Sequence, residues 1–74
     1  MTKVEKTRLL KAKIEFYLAI NGYSKEQFAL KMGISLASYY NKMKDIDLFT
    51  YREIVNLFSI IKLDDETKLI LLSQ

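Results

Sequence analysis

The side chains that most often perform catalysis or bind metal ions are missing from this sequence. Its 74 residues include no cysteine and no histidine, which excludes thiolate zinc sites, thiol nucleophiles and the commonest general base. The serines at positions 24, 35, 38 and 59 therefore have no histidine to activate them. Three consecutive acids, Asp64, Asp65 and Glu66, are more typical of a helix start than of a divalent-metal site. We predict that the chain is not an enzyme and uses no metal, cofactor or small-molecule substrate.

Positive charge is concentrated in the first part of the chain. Residues 1–44 carry nine lysines and arginines against three acids, whereas residues 45–74 carry three against six. This division indicates a basic surface for a polyanion, although a merely solubilising surface would give the same counts. Lys3, Lys6 and Arg8 could grip phosphates or belong to a solvated helix face. For Lys11 and Lys13 we favour the solvated face.

Apolar periodicity predicts an all-α fold of five helices in one domain spanning residues 1–74. Two glycines and no proline favour helices joined by short turns. The predicted helices are residues 5–21, 25–32, 36–44, 50–61 and 65–72, with residues 45–49 folding back onto the core. No apolar run approaches the roughly 18 residues of a membrane span, so we expect a cytoplasmic protein with no membrane partner.

Capping residues and apolar faces support these boundaries. Ser24 with Gln27, and Thr50 with Glu53, have the spacing of capping boxes, and a glycine follows each of the first two helices. Of two adjacent tyrosines, Tyr39 is expected in the core and Tyr40 outside. The predicted core faces of the first and fourth helices are Leu10, Ile14, Tyr17 and Leu18, and Tyr51, Ile54, Val55, Phe58 and Ile61.

The junction between the second and third helices has the pattern of a helix-turn-helix. Ala29 provides a small side chain where two helices cross closely, Gly33 permits a positive φ in the tight turn, and Ile34 plugs the junction. The third helix then presents its first residues to solvent, where a recognition helix reads base edges in the major groove.

These residues give the chain a family resemblance. Over residues 8–63 it resembles the Cro/C1-type helix-turn-helix family of phage repressors and related bacterial regulators. The family members are small proteins that bind palindromic operators, usually as dimers, which implies double-stranded DNA as partner and a bacterial or phage-infected cell as location. The residues that carry the resemblance are Ser24, Phe28, Ala29, Met32, Gly33, Ile34, Ser35, Tyr39 and Met43, followed by Phe49, Thr50 and Ile54.

The resemblance also implies roles for individual residues. Phosphate contacts fall to Lys25, Gln27, Ser35, Lys42 and Lys44. Base contacts fall to Leu36, Ala37, Ser38, Tyr40 and Asn41. Because this recognition surface lacks arginine, the usual reader of guanine, we expect a specificity that is weaker or more tolerant of A·T pairs than that of an arginine-bearing member.

The sequence contains more apolar residues than one small core requires. Residues 69–72 are all apolar and point in different directions around one helix. Either the last helix buries them with Leu9, Phe16 and Ile20 against the first helix, or they form a homodimer interface through Leu69, Ile70 and Leu72; we favour partial burial plus dimerisation. An alternative function is an antirepressor-like module that binds a partner regulator, with Leu36, Ala37 and Tyr40 as an apolar docking patch.

Overall fold

Five α-helices and one 3₁₀ turn follow one another in the computed structural model, which describes residues 1–73. The helices are α1 (Lys3–Asn21), α2 (Lys25–Met32), α3 (Leu36–Lys42), α4 (Tyr51–Ile61) and α5 (Asp65–Leu72), with the 3₁₀ turn at Ile46–Leu48. Residues 1–73 contain no β-strand, and the predicted all-α fold of five helices is confirmed. Within this same range, no helix is both long enough and apolar enough to cross a membrane.

Side-chain caps determine where the helices begin. The predicted capping boxes of Ser24 and Thr50 are present, and Asp64 caps α5 by accepting a hydrogen bond from the backbone N–H of Thr67. The predicted start of the first helix at Glu5 was wrong: Thr2 caps α1, which begins two residues earlier, at Lys3. Its hydroxyl oxygen accepts from the Glu5 N–H at 3.1 Å, and the Glu5 carboxylate accepts from the Thr2 N–H at 2.9 Å.

The third helix is shorter than predicted, because the chain leaves it through tighter turns. The backbone N–H groups of Lys44 and Asp45 donate to carbonyls three residues earlier, each at 3.3 Å. Asp45 then begins the 3₁₀ turn by accepting from the Asp47 N–H at 2.9 Å. This change of direction buries Ile46 and Phe49, which confirms that residues 45–49 fold back onto the core.

All five helices and the 3₁₀ turn contribute to one hydrophobic core. Phe28, Leu10, Ile14 and Leu57 are its largest fully buried side chains. Aromatic rings connect its parts: the centre of the Phe28 ring lies 5.9 Å from that of Tyr39, in an edge-on arrangement, and 6.0 Å from that of Tyr17. The complete set of buried apolar residues is Leu10, Ile14, Leu18, Phe28, Ala29, Met32, Tyr39, Ile46, Phe49, Ile54, Leu57, Phe58, Ile61 and Leu71.

Two predicted core residues of α4 lie outside. Tyr51 is 75% exposed and Val55 is also exposed, whereas Leu57, absent from the predicted face, is fully buried. The buried arc of α4 is centred on Ile54 and Ile61, with Leu57 at one edge and Phe58 at the other. Tyr51 and Val55 fall beyond the Phe58 edge.

The last helix runs antiparallel to α1. At its C-terminal end the Ser73 carbonyl accepts a hydrogen bond from the buried Lys6 ammonium. At its start the positive charge of Lys13 contributes to lowering the pKa of Asp64. This packing buries Leu71 but leaves Leu69 and Leu72 exposed. Phe16 and Ile20 are exposed as well, so the packing of α5 on α1 accounts for only part of the apolar surplus.

Candidate nucleic-acid interface

The turn between α2 and α3 has the geometry that its residues predicted. Gly33 adopts φ 75°, a left-handed conformation that is strained for other residues. Its N–H donates to the Leu30 carbonyl and the N–H of Ile34 donates to the Ala29 carbonyl, both at 3.0 Å. Ala29 is completely buried, as expected of a small residue at a close helix crossing. The junction therefore fixes the direction in which α3 leaves α2.

One face of α3 is directed to solvent. Ala37, Tyr40 and Asn41 are exposed on it, and Lys44 continues the same helical spacing beyond the last turn. Tyr39 faces the core as predicted, and burial raises the pKa of its hydroxyl to about 12.

The other two predicted base-contacting residues are less accessible. Leu36 is half-buried and packs against the core. Ser38 is half-buried, and its backbone N–H donates to the hydroxyl of Ser35 at 3.0 Å, which caps α3. The structure thus brings Ala37, Tyr40 and Asn41 together as an open face, with Leu36 and Ser38 at its margin.

Cations from α1, from α2 and from the turn that follows α3 border this face. Lys25, at the start of α2, has its ammonium 5.8 Å from the centre of the Tyr40 ring. Both residues line a cleft of about 240 Å³ together with Lys11, Glu15 and Lys44. A neighbouring cleft of about 260 Å³ is lined by Arg8 and again by Lys11 and Lys44. We call Arg8, Lys11, Lys44 and Lys25 the basic strip.

Two members of the basic strip were not assigned to the interface from the sequence. The sequence does not decide between the two roles for Arg8, and it favours a solvated face for Lys11. The spacing of Arg8, Lys11 and Glu15 on one side of α1 was a usable signal, since such residues are neighbours on a helix surface. What the sequence did not reveal is that this side of α1 lies beside the end of α3.

The structure corrects the assignment of Lys42 to phosphate. Its ammonium donates to the Glu53 carboxylate at 2.9 Å and to the Leu48 carbonyl at 3.1 Å, and its side chain is only 16% exposed. The hydrogen bond from Lys42 is the main reason why the pKa of Glu53 is lowered. Lys42 therefore joins α3 to α4, with two of its three ammonium donors engaged within the fold.

The remaining predicted phosphate contacts also take part in local structure. The Gln27 side-chain oxygen accepts from the Ser24 N–H at 2.8 Å, which leaves its amide N–H groups to donate outward. Two lysines near the N-terminus are engaged elsewhere. Lys3 pairs with Asp45 at 3.1 Å and with Asp47 at 3.6 Å, and Lys6 is buried against Ser73.

Comparisons with known proteins add no relative to this picture. No family model, no curated protein and no solved structure matches the chain. The resemblance to the Cro/C1-type family rests on the motif residues alone.

Proposed function

We propose that this chain is a sequence-specific DNA-binding regulator of transcription that acts as a small Cro-like repressor by occupying its operator. The observation that carries the proposal is the exposed face of α3, bordered by the basic strip and held by a glycine-dependent turn. In this proposal Ala37, Tyr40 and Asn41 enter the major groove while the strip contacts phosphates.

The basic strip supplies the part of the affinity that is independent of sequence. Each lysine or arginine that neutralises a phosphate releases condensed counterions, and this changes the slope of log K against log salt by about 0.9. Lys11→Ala should therefore make the slope shallower by about one unit. The matched control is Lys13→Ala, since Lys13 lies two positions further along α1 and about 200° around the helix. If both variants lowered the affinity equally, the basic strip would not be the phosphate-binding surface.

Base recognition rests mainly on Asn41. An asparagine amide can make two hydrogen bonds to adenine, and Ala37 can contact a thymine methyl group. Asn41→Ala should weaken binding of the preferred site by about 1–3 kcal/mol and relax the preference at one position. Sites selected by both proteins from a random duplex library test this. An equal loss for every sequence, or an operator rich in contacted guanines, would contradict the assignment.

A homodimer would place two copies of α3 on a palindromic operator. Four apolar residues of α4 and α5 are exposed, and we call them the hairpin patch: Tyr51, Val55, Leu69 and Leu72. Tyr51 and Leu72 line one common cleft. Residues 51–72 carry three bases against four acids, so two such surfaces can meet without the repulsion that two basic faces would suffer. Of the predicted interface residues, Leu69 and Leu72 belong to the patch, and Ile70 is half-buried beside it.

Sedimentation with and without operator DNA tests the dimer. Leu69→Ser with Leu72→Ser should shift the protein toward the monomer, whereas Phe16→Ser, a change of similar type outside the hairpin patch, should not. A wild-type monomer at high concentration, both free and on DNA, would refute it.

The alternative is a protein-interaction module of the same fold, antirepressor-like, that binds a partner regulator through Leu36, Ala37 and Tyr40. Its supporting observation is that Tyr40 remains 50% exposed beside two other apolar side chains. Absence of DNA affinity even at low salt would favour this alternative.

A further inference from the structure

A second apolar surface lies between the C-terminal part of α1 and the connection from α4 to α5. Phe16 and Ile20, one helical turn apart, are each 66% exposed. They line an open cleft of about 420 Å³ whose other apolar walls are Tyr17, Ile61 and Leu63. This volume is within the usual range of about 300–1,000 Å³ for ligand sites. We call it the Phe16 cleft.

The walls of the Phe16 cleft are held in place by the rest of the fold. The Tyr17 ring packs against the rings of Tyr23 and Phe28, with ring centres 5.9 Å and 6.0 Å apart. On the other side, Lys62 adopts φ 52° and ends α4 by donating its N–H to the Phe58 carbonyl at 3.0 Å. A partner would therefore meet a preformed surface and would not have to order it.

The charged residues that line the cleft favour an acidic partner. Lys13 and Lys62 both line it, and neither forms an ion pair with any side chain of residues 1–73. The one acid in the lining, Asp64, accepts hydrogen bonds from the backbone and hydroxyl of Thr67, which are the main causes of its lowered pKa. The charge of Lys13 is the smallest of the causes that lower the Asp64 pKa, so Asp64 offsets that charge only weakly and two cations remain available beside an apolar floor.

We propose that the Phe16 cleft binds an acidic amphipathic helix of a partner protein. Apolar side chains of that helix would cover Phe16 and Ile20, and its carboxylates would lie against Lys13 and Lys62. The site is separate from the DNA-binding surface, because Phe16 lies about 140° around α1 from Lys11 of the basic strip. A partner can therefore bind without occluding α3, and the proposal does not depend on DNA binding.

Two synthetic helical peptides test the proposal. Both have the same stripe of leucine and phenylalanine, flanked by glutamates in one and by lysines in the other. Fluorescence anisotropy should show that the acidic peptide binds at least about tenfold more tightly. Backbone NMR shifts on its addition should be largest at Lys62, Leu63 and residues 16–20.

The matched variants make the test decisive. Phe16→Ser with Ile20→Ser should weaken the acidic peptide by more than about tenfold, as expected when central apolar anchors are lost. Tyr51→Ser with Leu72→Ser should leave its binding unchanged. Equal binding of both peptides, shifts centred on α3, or an unaffected Phe16/Ile20 variant would overturn the proposal. So would a lower sedimentation mass of that variant, because the cleft would then hold a second copy of this chain.

Discussion

Replacing Lys42 by alanine separates a structural role from a DNA-binding role within one stretch of sequence. Lys42 and Lys44 are two residues apart, and the family resemblance implies a phosphate contact for both. In the structure the Lys42 ammonium is held by Glu53 and the Leu48 carbonyl, whereas Lys44 is exposed at the basic strip. We expect Lys42→Ala to destabilise the fold and Lys44→Ala to weaken DNA binding.

The size of the effect follows from the burial of the pair. Exposed ion pairs contribute about 0.2–1 kcal/mol, and hydrogen bonds to charged groups about 1.5–3 kcal/mol. The Lys42 and Glu53 side chains are only 16% and 22% exposed, and a second hydrogen bond joins Lys42 to Leu48. We therefore expect a loss of about 2 kcal/mol. For a domain of this size that corresponds to a decrease in Tm of roughly 8–16 °C.

Thermal denaturation and a salt titration of DNA binding measure the two roles separately. Lys42→Ala should lower the Tm and, at a temperature where it stays folded, keep the wild-type salt slope. Lys44→Ala should keep the wild-type Tm and make the slope shallower by about one unit. An unchanged Tm together with a shallower slope for Lys42→Ala would refute the reasoning.

Three further predictions concern stability. The pKa of Glu53 is lowered from its ordinary value of 4.5. Its ionised carboxylate therefore contributes fully to the free energy of unfolding above that value, and this contribution is lost as the pH falls through the lower folded-state pKa. Urea unfolding of wild type and Glu53→Gln from pH 7 to pH 2 should show a smaller acid-induced loss of stability in the variant. In Gly33→Ala the new Cβ has no atom within 4 Å, so only the left-handed backbone conformation should lower the free energy of unfolding, by about 1–2 kcal/mol. An unchanged Tm in thermal denaturation would contradict this. Phe28→Ala should cost about 3–5 kcal/mol in urea unfolding because the ring is fully buried, and a loss below about 1 kcal/mol would be incompatible with that packing.

Local chemistry explains what could be predicted from the sequence. The capping boxes at Ser24 and Thr50 and the left-handed turn at Gly33 depend on residues within a few positions of one another, and all are present. The outward direction of Tyr40 and the inward direction of Tyr39 follow from helical spacing.

The sequence reveals less where a partner is distant in the chain or where two patterns compete. No acidic residue of the third helix stands three or four positions from Lys42, so the sequence shows no ion-pair partner on its own helix. Only the packing of α4 brings Glu53 next to it. Tyr51 and Val55 fit a helical stripe nearly as well as Leu57, so the true edge of the buried arc depends on what packs against α4. Lys11 lies near Lys25 and Lys44 because α1 packs beside the end of α3, and no local pattern reveals this proximity.

The most direct test of the DNA-binding proposal is the affinity of the unmodified chain for a mixed-sequence duplex, measured by fluorescence anisotropy at increasing salt. Four phosphate contacts from the basic strip predict that log K falls linearly with log salt, with a slope of about −3.6 per protomer. Absence of binding at low salt, or an affinity that does not change with salt, would contradict the proposal that this chain is a DNA-binding protein.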